Sequence, residues 1–225
     1  MRVVRGRGAT PESDRERTAA MLDRTAETGE AALRVWTPHR QVAFGRRDAH
    51  ADGYEAAKRL VASRGFAPVE RSVGGHAVAY SGRTLAFAHA VPVADLRTGL
   101  DARYESAVEA LTGALAALGV DAERGEPSDS FCPGDHSVQA GGKLAGIAQR
   151  VRADAALVAG CLLVRDRDEL AAVLDPVYDA LGLAFDPDSV GSVAAAGGPS
   201  DPATVARALE RAFVDGRETR IASVG

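Results

Sequence analysis

The residues best suited to chemistry lie in one stretch, Phe131 to Gly146, where Cys132 and Lys143 stand eleven positions apart with a glycine pair between them. Pro133-Gly134 follows the cysteine and predicts a turn, which places Cys132 on a loop rather than inside a packed strand. Gly141-Gly142 has the backbone freedom a tight hairpin demands, so Lys143 opens the returning strand. A thiol attacks only as its thiolate, and a nearby ammonium favours that form, so a loop cysteine facing a hairpin lysine is a nucleophile arrangement. A lone cysteine is more often a small buried hydrophobe, and spacing alone leaves both roles open for Cys132. Cys161 sits inside Leu157-Val158-Ala159-Gly160-Cys161-Leu162-Leu163-Val164 and reads as structural, on a buried strand.

A second stretch, Arg71-Ser72-Val73-Gly74-Gly75-His76-Ala77-Val78, leads a basic residue into another glycine pair. Glycines allow close approach of the backbone and can turn their N–H groups toward carbonyl or phosphate oxygens. The same pattern also serves as a plain turn between strands. His89 lies in an apolar run and reads as a satisfied core or groove residue rather than a ligand. With two cysteines, no CxxC and no Cys/His cluster, neither a zinc site nor a disulfide scaffold is indicated, and no metal is expected.

Composition narrows the function classes. The chain is 46% hydrophobic and 26% charged with a net charge of -4, ordinary for a globular protein and without the basic excess of a general nucleic-acid binder. No stretch approaches the run of about 20 apolar residues a membrane span needs, and the N-terminus lacks a secretory signal. A cytoplasmic protein, with no nucleic-acid or membrane partner, is the expectation.

These residues need elements to hold them. Thr10-Pro11 predicts a capped helix ending at Gly29, and strands are expected at Ala32–Trp36 and Gln41–Gly45, followed by a polar loop at Arg46, Arg47 and Asp48. A helix from Tyr54 to Ser63 stops at Gly65, and strands follow over 66–71 and 84–91. Residues 101–118 form the clearest helix, with Val108, Leu111, Leu115 and Leu118 on one face. Strands are expected over 143–151 and 155–164, then a helix capped by Asp166 and Asp168 that Pro176 breaks or kinks. Gly191 to Pro202 reads as a linker and Val205, Leu209 and Phe213 as one face of a last helix. The alternation predicts an α+β fold, a mixed β-sheet with packed helices, in which residues 1–190 form the catalytic domain and 191–225 a linker and C-terminal helix.

Leu33-Arg34-Val35-Trp36, Val42-Ala43-Phe44-Gly45-Arg46, Arg71-Ser72-Val73-Gly74-Gly75-His76-Ala77-Val78 and Gly142-Lys143-Leu144-Ala145-Gly146-Ile147-Ala148-Gln149-Arg150 resemble, in this order, blocks of the lipoate-protein ligase and octanoyltransferase family. The last run is the most specific. The resemblance implies a biotin/lipoate-ligase-like catalytic fold with a tunnel for an octanoyl or lipoyl chain. It implies Cys132 and Lys143 as catalytic residues, and Arg71, Gly74, Gly75, His76, Ala77 and Gly146 as substrate-binding ones, with Arg71 either a cation that steers acidic carrier surfaces or a solvated strand residue.

The family's ATP-dependent branch carries three glycines after a Ser or Thr. Here His76 replaces the third glycine, Val73 the Ser/Thr, and Tyr80 a later histidine. The chain is more similar to the cysteine-dependent branch. That branch implies an acyl-enzyme thioester on Cys132, with Lys143 and the Gly74–Gly75 amides facing the acyl oxygen and no cofactor needed. Acyl carrier protein or a glycine-cleavage H protein would be the donor, and lipoyl domains the acceptor. The alternatives are an ATP-dependent ligase forming lipoyl-AMP and a non-catalytic member that binds acylated carriers.

Overall fold

A computed structural model of the chain describes residues 1–71, 74–95 and 98–223. In chain order the elements are β1 (Arg2–Arg5), α1 (Pro11–Thr28), β2 (Ala32–Trp36), β3 (Gln41–Phe44), α2 (Tyr54–Ser63), β4 (Ala67–Glu70), β5 (Val78–Tyr80) and β6 (Thr84–Pro92). Then come α3 (Leu100–Ala116), β7 (Glu123–Arg124), β8 (Ser137–Gln139), β9 (Lys143–Arg152), β10 (Ala155–Leu163), α4 (Arg167–Ala180), α5 (Pro202–Val214) and β11 (Arg220–Ser223). No helix among the described residues is long and apolar enough to cross a membrane.

The strands form two sheets, an eight-stranded one ordered β11-β1-β2-β6-β10-β9-β8-β7 and a three-stranded one ordered β4-β3-β5. Pairing is mixed. The β1 strand runs parallel to both β2 and β11, β3 runs parallel to β4, and the β2–β6, β6–β10, β10–β9 and β9–β8 pairs are antiparallel. This is the mixed-sheet α+β architecture that the sequence predicts.

Period-2 alternation divides the large sheet's faces. Leu33, Val35, Leu85 and Phe87 face a core completed by Leu111 and Leu115 of α3 and Val205, Leu209 and Phe213 of α5. The intervening Ala32, Ala88 and Ala90 face Met21 and Leu22 of α1. Further along β10, Cys161 and Leu163 join a third cluster with the small sheet, α2 and α4. The site lies at that junction.

Local signals placed many boundaries. Thr10 and Ser13 make a capping box at α1, Gly29 closes it with φ 67°, and α2 spans the expected residues. Three expectations are corrected. The α4 helix runs through Pro176, because buried Leu170, Val173, Leu174, Val177 and Tyr178 outweigh a penalty of about 3 kcal/mol for interior proline. Asp166 stands at the N-cap position of α4 with φ 65°, but its side chain makes no capping hydrogen bond; its carboxylate accepts from Ser81 Oγ (3.0 Å) and Arg83 Nη1 (3.2 Å). The stretch 191–202 has a linker's composition but is pinned: Gly191 N–H donates to Lys143 O, Val193 and Ala194 N–H groups donate to Leu163 and Val164, and Val193 is fully buried. His89 does occupy a core position, edge-on to Phe213 at 5.5 Å, but its Nε2 has no hydrogen-bond partner rather than being satisfied. Burial lowers its pKa to about 4 and keeps it neutral.

Candidate active site

Cys132 sits in the loop between β7 and β8, and its backbone adopts φ 43°, a left-handed conformation that costs a non-glycine residue about 1–2 kcal/mol. Several contacts hold it there. Phe131 is buried in the cluster between α2, α4 and the small sheet. The Cys132 N–H donates to Tyr178 Oη of α4 (2.6 Å), and that hydroxyl donates to Ala77 O (3.0 Å), so one phenol joins the cysteine loop to the segment entering β5. Burial pushes the Tyr178 phenol well above its usual range, so the hydroxyl keeps the proton it donates.

Lys143 underpins the same loop from the start of β9, where the 140–142 turn delivers it as predicted. Its Nζ is fully buried and donates to Phe131 O (2.9 Å), Cys132 O (3.0 Å) and both oxygens of Glu126 (2.9 and 3.0 Å). An ammonium has only three protons, so these acceptors saturate it. Glu126 also accepts short hydrogen bonds from the Ser130 and Ser137 hydroxyls and one from Gly134 N–H (3.2 Å). Burial works to raise the Glu126 pKa, but the Ser130, Ser137 and Lys143 contacts outweigh it and hold the carboxyl below its ordinary value. The lysine therefore meets the carbonyl beneath the cysteine, where the sequence reading had it facing the thiol.

The thiol faces the glycine-pair segment. Arg71 Nη2 lies 3.2 Å from Cys132 Sγ and the His76 N–H lies 3.3 Å from it. Arg71 Nη2 also donates to His76 O (2.7 Å), and the Arg71 N–H is fixed on Phe44 O (2.9 Å), so the guanidinium is braced from two sides. Arg71 is thus neither a solvated strand residue nor a surface cation; it is partly buried against the sulfur. Burial disfavours its cation, yet the adjacent Cys132 outweighs that effect and keeps its pKa above the ordinary value. A thiolate with a guanidinium and an amide N–H at hydrogen-bond distance is stabilised as a nucleophile.

Glycine at position 75 is needed for this approach. Its φ is +86°, and a Cβ there would stand 2.7 Å from Cys132 Sγ and 2.9 Å from Arg71 Nη2. The His76 ring is held on Asp48, with Nδ1 2.7 Å from Oδ1; Asp48 is buried, and its Oδ2 accepts the Gly45 N–H (2.9 Å).

Of the residues singled out in the sequence, Cys132, Arg71, Gly75, His76 and, through Tyr178, Ala77 come together. Gly146 packs beside the Lys143 stem, 3.5 Å from Cε to where its Cβ would be, and pairs in register with Cys161. Gly74 is exposed with open space around it and does not reach the thiol. Ser72 and Val73 lie outside the described residues. Cys161 is buried, and burial pushes its thiol pKa up, as suits a structural cysteine. Glu126, Asp48 and Tyr178 belong to the site but had no local signal; a lone polar residue reads as loop surface until its partner is known.

The family model described as lipoyl protein ligase A/B catalytic domain matches residues 16–214. An octanoyl-[GcvH]:protein N-octanoyltransferase of Geobacillus kaustophilus (strain HTA426) is 30% identical over 126 residues, covering 56% of this chain and 44% of that protein. One from Bacillus velezensis (strain DSM 23117) is 29% identical over 121 residues, covering 53% and 42%. The matched segment therefore spans less than half the length of these relatives. Among solved structures, a lipoate-protein ligase A bound with ATP superposes with a TM-score of 0.79 at 21% identity, over 100% of this chain and 88% of that one. A bi-partite lipoate protein ligase from Thermoplasma acidophilum, studied with its E2 lipoyl domain, gives 0.69 at 21% identity over 100% and 87%. At these identities the structural likeness establishes the fold alone.

Proposed function

Because the chain belongs to the lipoyl protein ligase A/B catalytic domain family, we propose that it transfers an octanoyl or lipoyl group to a lysine of a lipoyl-carrier domain through a thioester on Cys132. The observation that carries this reading is the sulfur's environment, a loop thiol at 3.2 Å from a braced guanidinium and 3.3 Å from an amide N–H.

The reaction divides into two acyl exchanges. Cys132 gives its proton to solvent and the thiolate attacks the donor's acyl carbonyl; the new carbon–sulfur bond forms as the donor's bond to that carbon breaks, and the donor leaves as thiol or amine after taking a proton back from solvent. The ε-amine of the acceptor lysine then attacks the thioester, forming the amide and returning the sulfur to Arg71 and the His76 N–H. Donors of the right chemistry are an acyl carrier protein thioester and an octanoylated glycine-cleavage H protein. The names of the Geobacillus and Bacillus relatives favour the latter. Lys143 orders the nucleophile loop by holding the carbonyls of Phe131 and Cys132. The reaction belongs to a reducing compartment such as the cytoplasm, where Cys132 stays a free thiol.

No nucleotide is required, because the acyl group arrives already activated or attached. An ATP-dependent ligase would need its glycine loop to admit phosphates. Here the space beside Gly75 is taken by Cys132 Sγ and the Arg71 guanidinium, which supports the transferase. A module that only binds acylated carriers would have no use for a left-handed cysteine tied down by Tyr178 and Lys143.

The test is intact-protein mass after incubation with an octanoylated donor and no ATP. A gain of one octanoyl group on Cys132, removed by hydroxylamine, is expected. Consumption of free lipoate and ATP with release of AMP, and no adduct from acyl donors, would overturn the reading.

A further inference from the structure

The second half-reaction needs a base, since an amine that attacks a thioester must give up a proton as the amide forms. Most groups around Cys132 cannot accept one. Arg71 and Lys143 are cations with donors only, and Lys143 is saturated by Glu126 and two carbonyls. The carboxylate of Glu126 is covered by that ammonium and by the Ser130, Ser137 and Gly134 donors. Tyr178 already accepts from the Cys132 N–H and donates to Ala77 O.

His76 differs. A carboxylate oxygen can only accept, so the 2.7 Å contact to Asp48 Oδ1 places a ring proton on Nδ1 and leaves Nε2 as the ring atom able to take up a proton. Asp48 is locked in turn by the Gly45 N–H, and its side chain is 1% exposed. The His76 side chain is 22% exposed, so the ring is not closed off from solvent, and its own backbone N–H lies 3.3 Å from the sulfur that would carry the acyl group.

We propose that His76 is the base of the transfer step and Asp48 its positioning residue, a role that rests on the thioester function proposed above. As the acceptor nitrogen bonds to the acyl carbon, its proton passes to His76 Nε2. The carbon–sulfur bond then breaks with its electron pair going to Sγ, and the imidazolium, steadied by Asp48, later releases the proton to water. Thioester and amine become amide, thiolate and one proton.

The two half-reactions separate the test. The full chain is acylated with the octanoyl thioester of N-acetylcysteamine, the adduct is counted by intact mass, and transfer to a purified lipoyl domain is followed in a single turnover. His76→Ala, which keeps the backbone N–H at the sulfur, is expected still to form the Cys132 adduct and to transfer it about 10²–10⁴-fold more slowly. Added imidazole should restore part of the rate, which a merely structural residue would not permit. Asp48→Asn should slow transfer without responding to imidazole, while leaving the KM for the lipoyl domain unchanged. Transfer by His76→Ala at the wild-type rate, or a slow rate that imidazole does not change, overturns the assignment. A wild-type chain that forms no adduct overturns it together with the function it rests on, and the adduct measurement tells the two failures apart.

Discussion

Lys143→Met tests whether the buried ammonium organises the nucleophile loop. Methionine fills the space of the lysine stem but leaves Phe131 O and Cys132 O without their donor and Glu126 without its cation. Breaking a buried pair from one side costs about 3–5 kcal/mol. The Lys143 side chain is 1% exposed but that of Glu126 is 23% exposed, so water recovers part of the loss and about 2–4 kcal/mol is expected. Urea unfolding should show a lower midpoint at unchanged m-value. Glu126→Gln in the Lys143→Met background should recover part of the loss, because it removes the stranded charge. The pH dependence has a definite sign. Glu126 is held below its ordinary value of 4.5 in the folded chain, so its contribution is complete above that pH and disappears as pH falls toward the lowered value. The gap between wild type and Lys143→Met should therefore be widest near neutrality and narrow below about pH 4.5. A loss under about 0.5 kcal/mol with thioester formation abolished would refute the argument and assign the ammonium to the reacting acyl group instead.

Replacing Arg71 with Met removes a charge-assisted contact to Cys132 Sγ worth about 1.5–3 kcal/mol, so alkylation of Cys132 by iodoacetamide near neutral pH should slow by roughly tenfold to a hundredfold; an unchanged rate would mean the guanidinium does not activate the thiol. Tyr178→Phe strands the Cys132 N–H and the Ala77 carbonyl and should lower stability by about 1–3 kcal/mol in thermal or urea unfolding, with slower thioester formation. Gly75→Ala, at φ +86° and with its methyl 2.7 Å from Sγ, should retain the fold by circular dichroism but lose acylation. Cys132→Ser should give no hydroxylamine-sensitive adduct, whereas Cys161→Ser should still form one, since Cys161 is buried on β10.

What the sequence could determine was carried by near neighbours along the chain. Thr10 with Pro11, Ser13 and Gly29 bounds α1 because caps act within a turn of the helix, and Gly141-Gly142 makes a hairpin because the backbone freedom lies in the turn itself. The same holds for the run around Lys143, whose resemblance to a family pointed to the Cys132 loop and the glycine-pair segment. The strands β1, β7 and β11, of two to four residues each, were missed because runs so short, rich in arginine or glutamate, carry no apolar period to detect.

Tertiary structure decided which side chain does what. Arg71 meets Cys132 across 61 positions, Tyr178 meets it across 46, and Asp48 finds His76 across 28, so no local pattern marks them. The sequence placed Lys143 as an ammonium facing the thiol or the acyl oxygen, yet it is buried and its target is the backbone under the cysteine. That choice depends on Glu126, whose carboxylate draws the ammonium beneath the loop, and on a three-proton donor having no bond left once Phe131 and Cys132 have taken theirs.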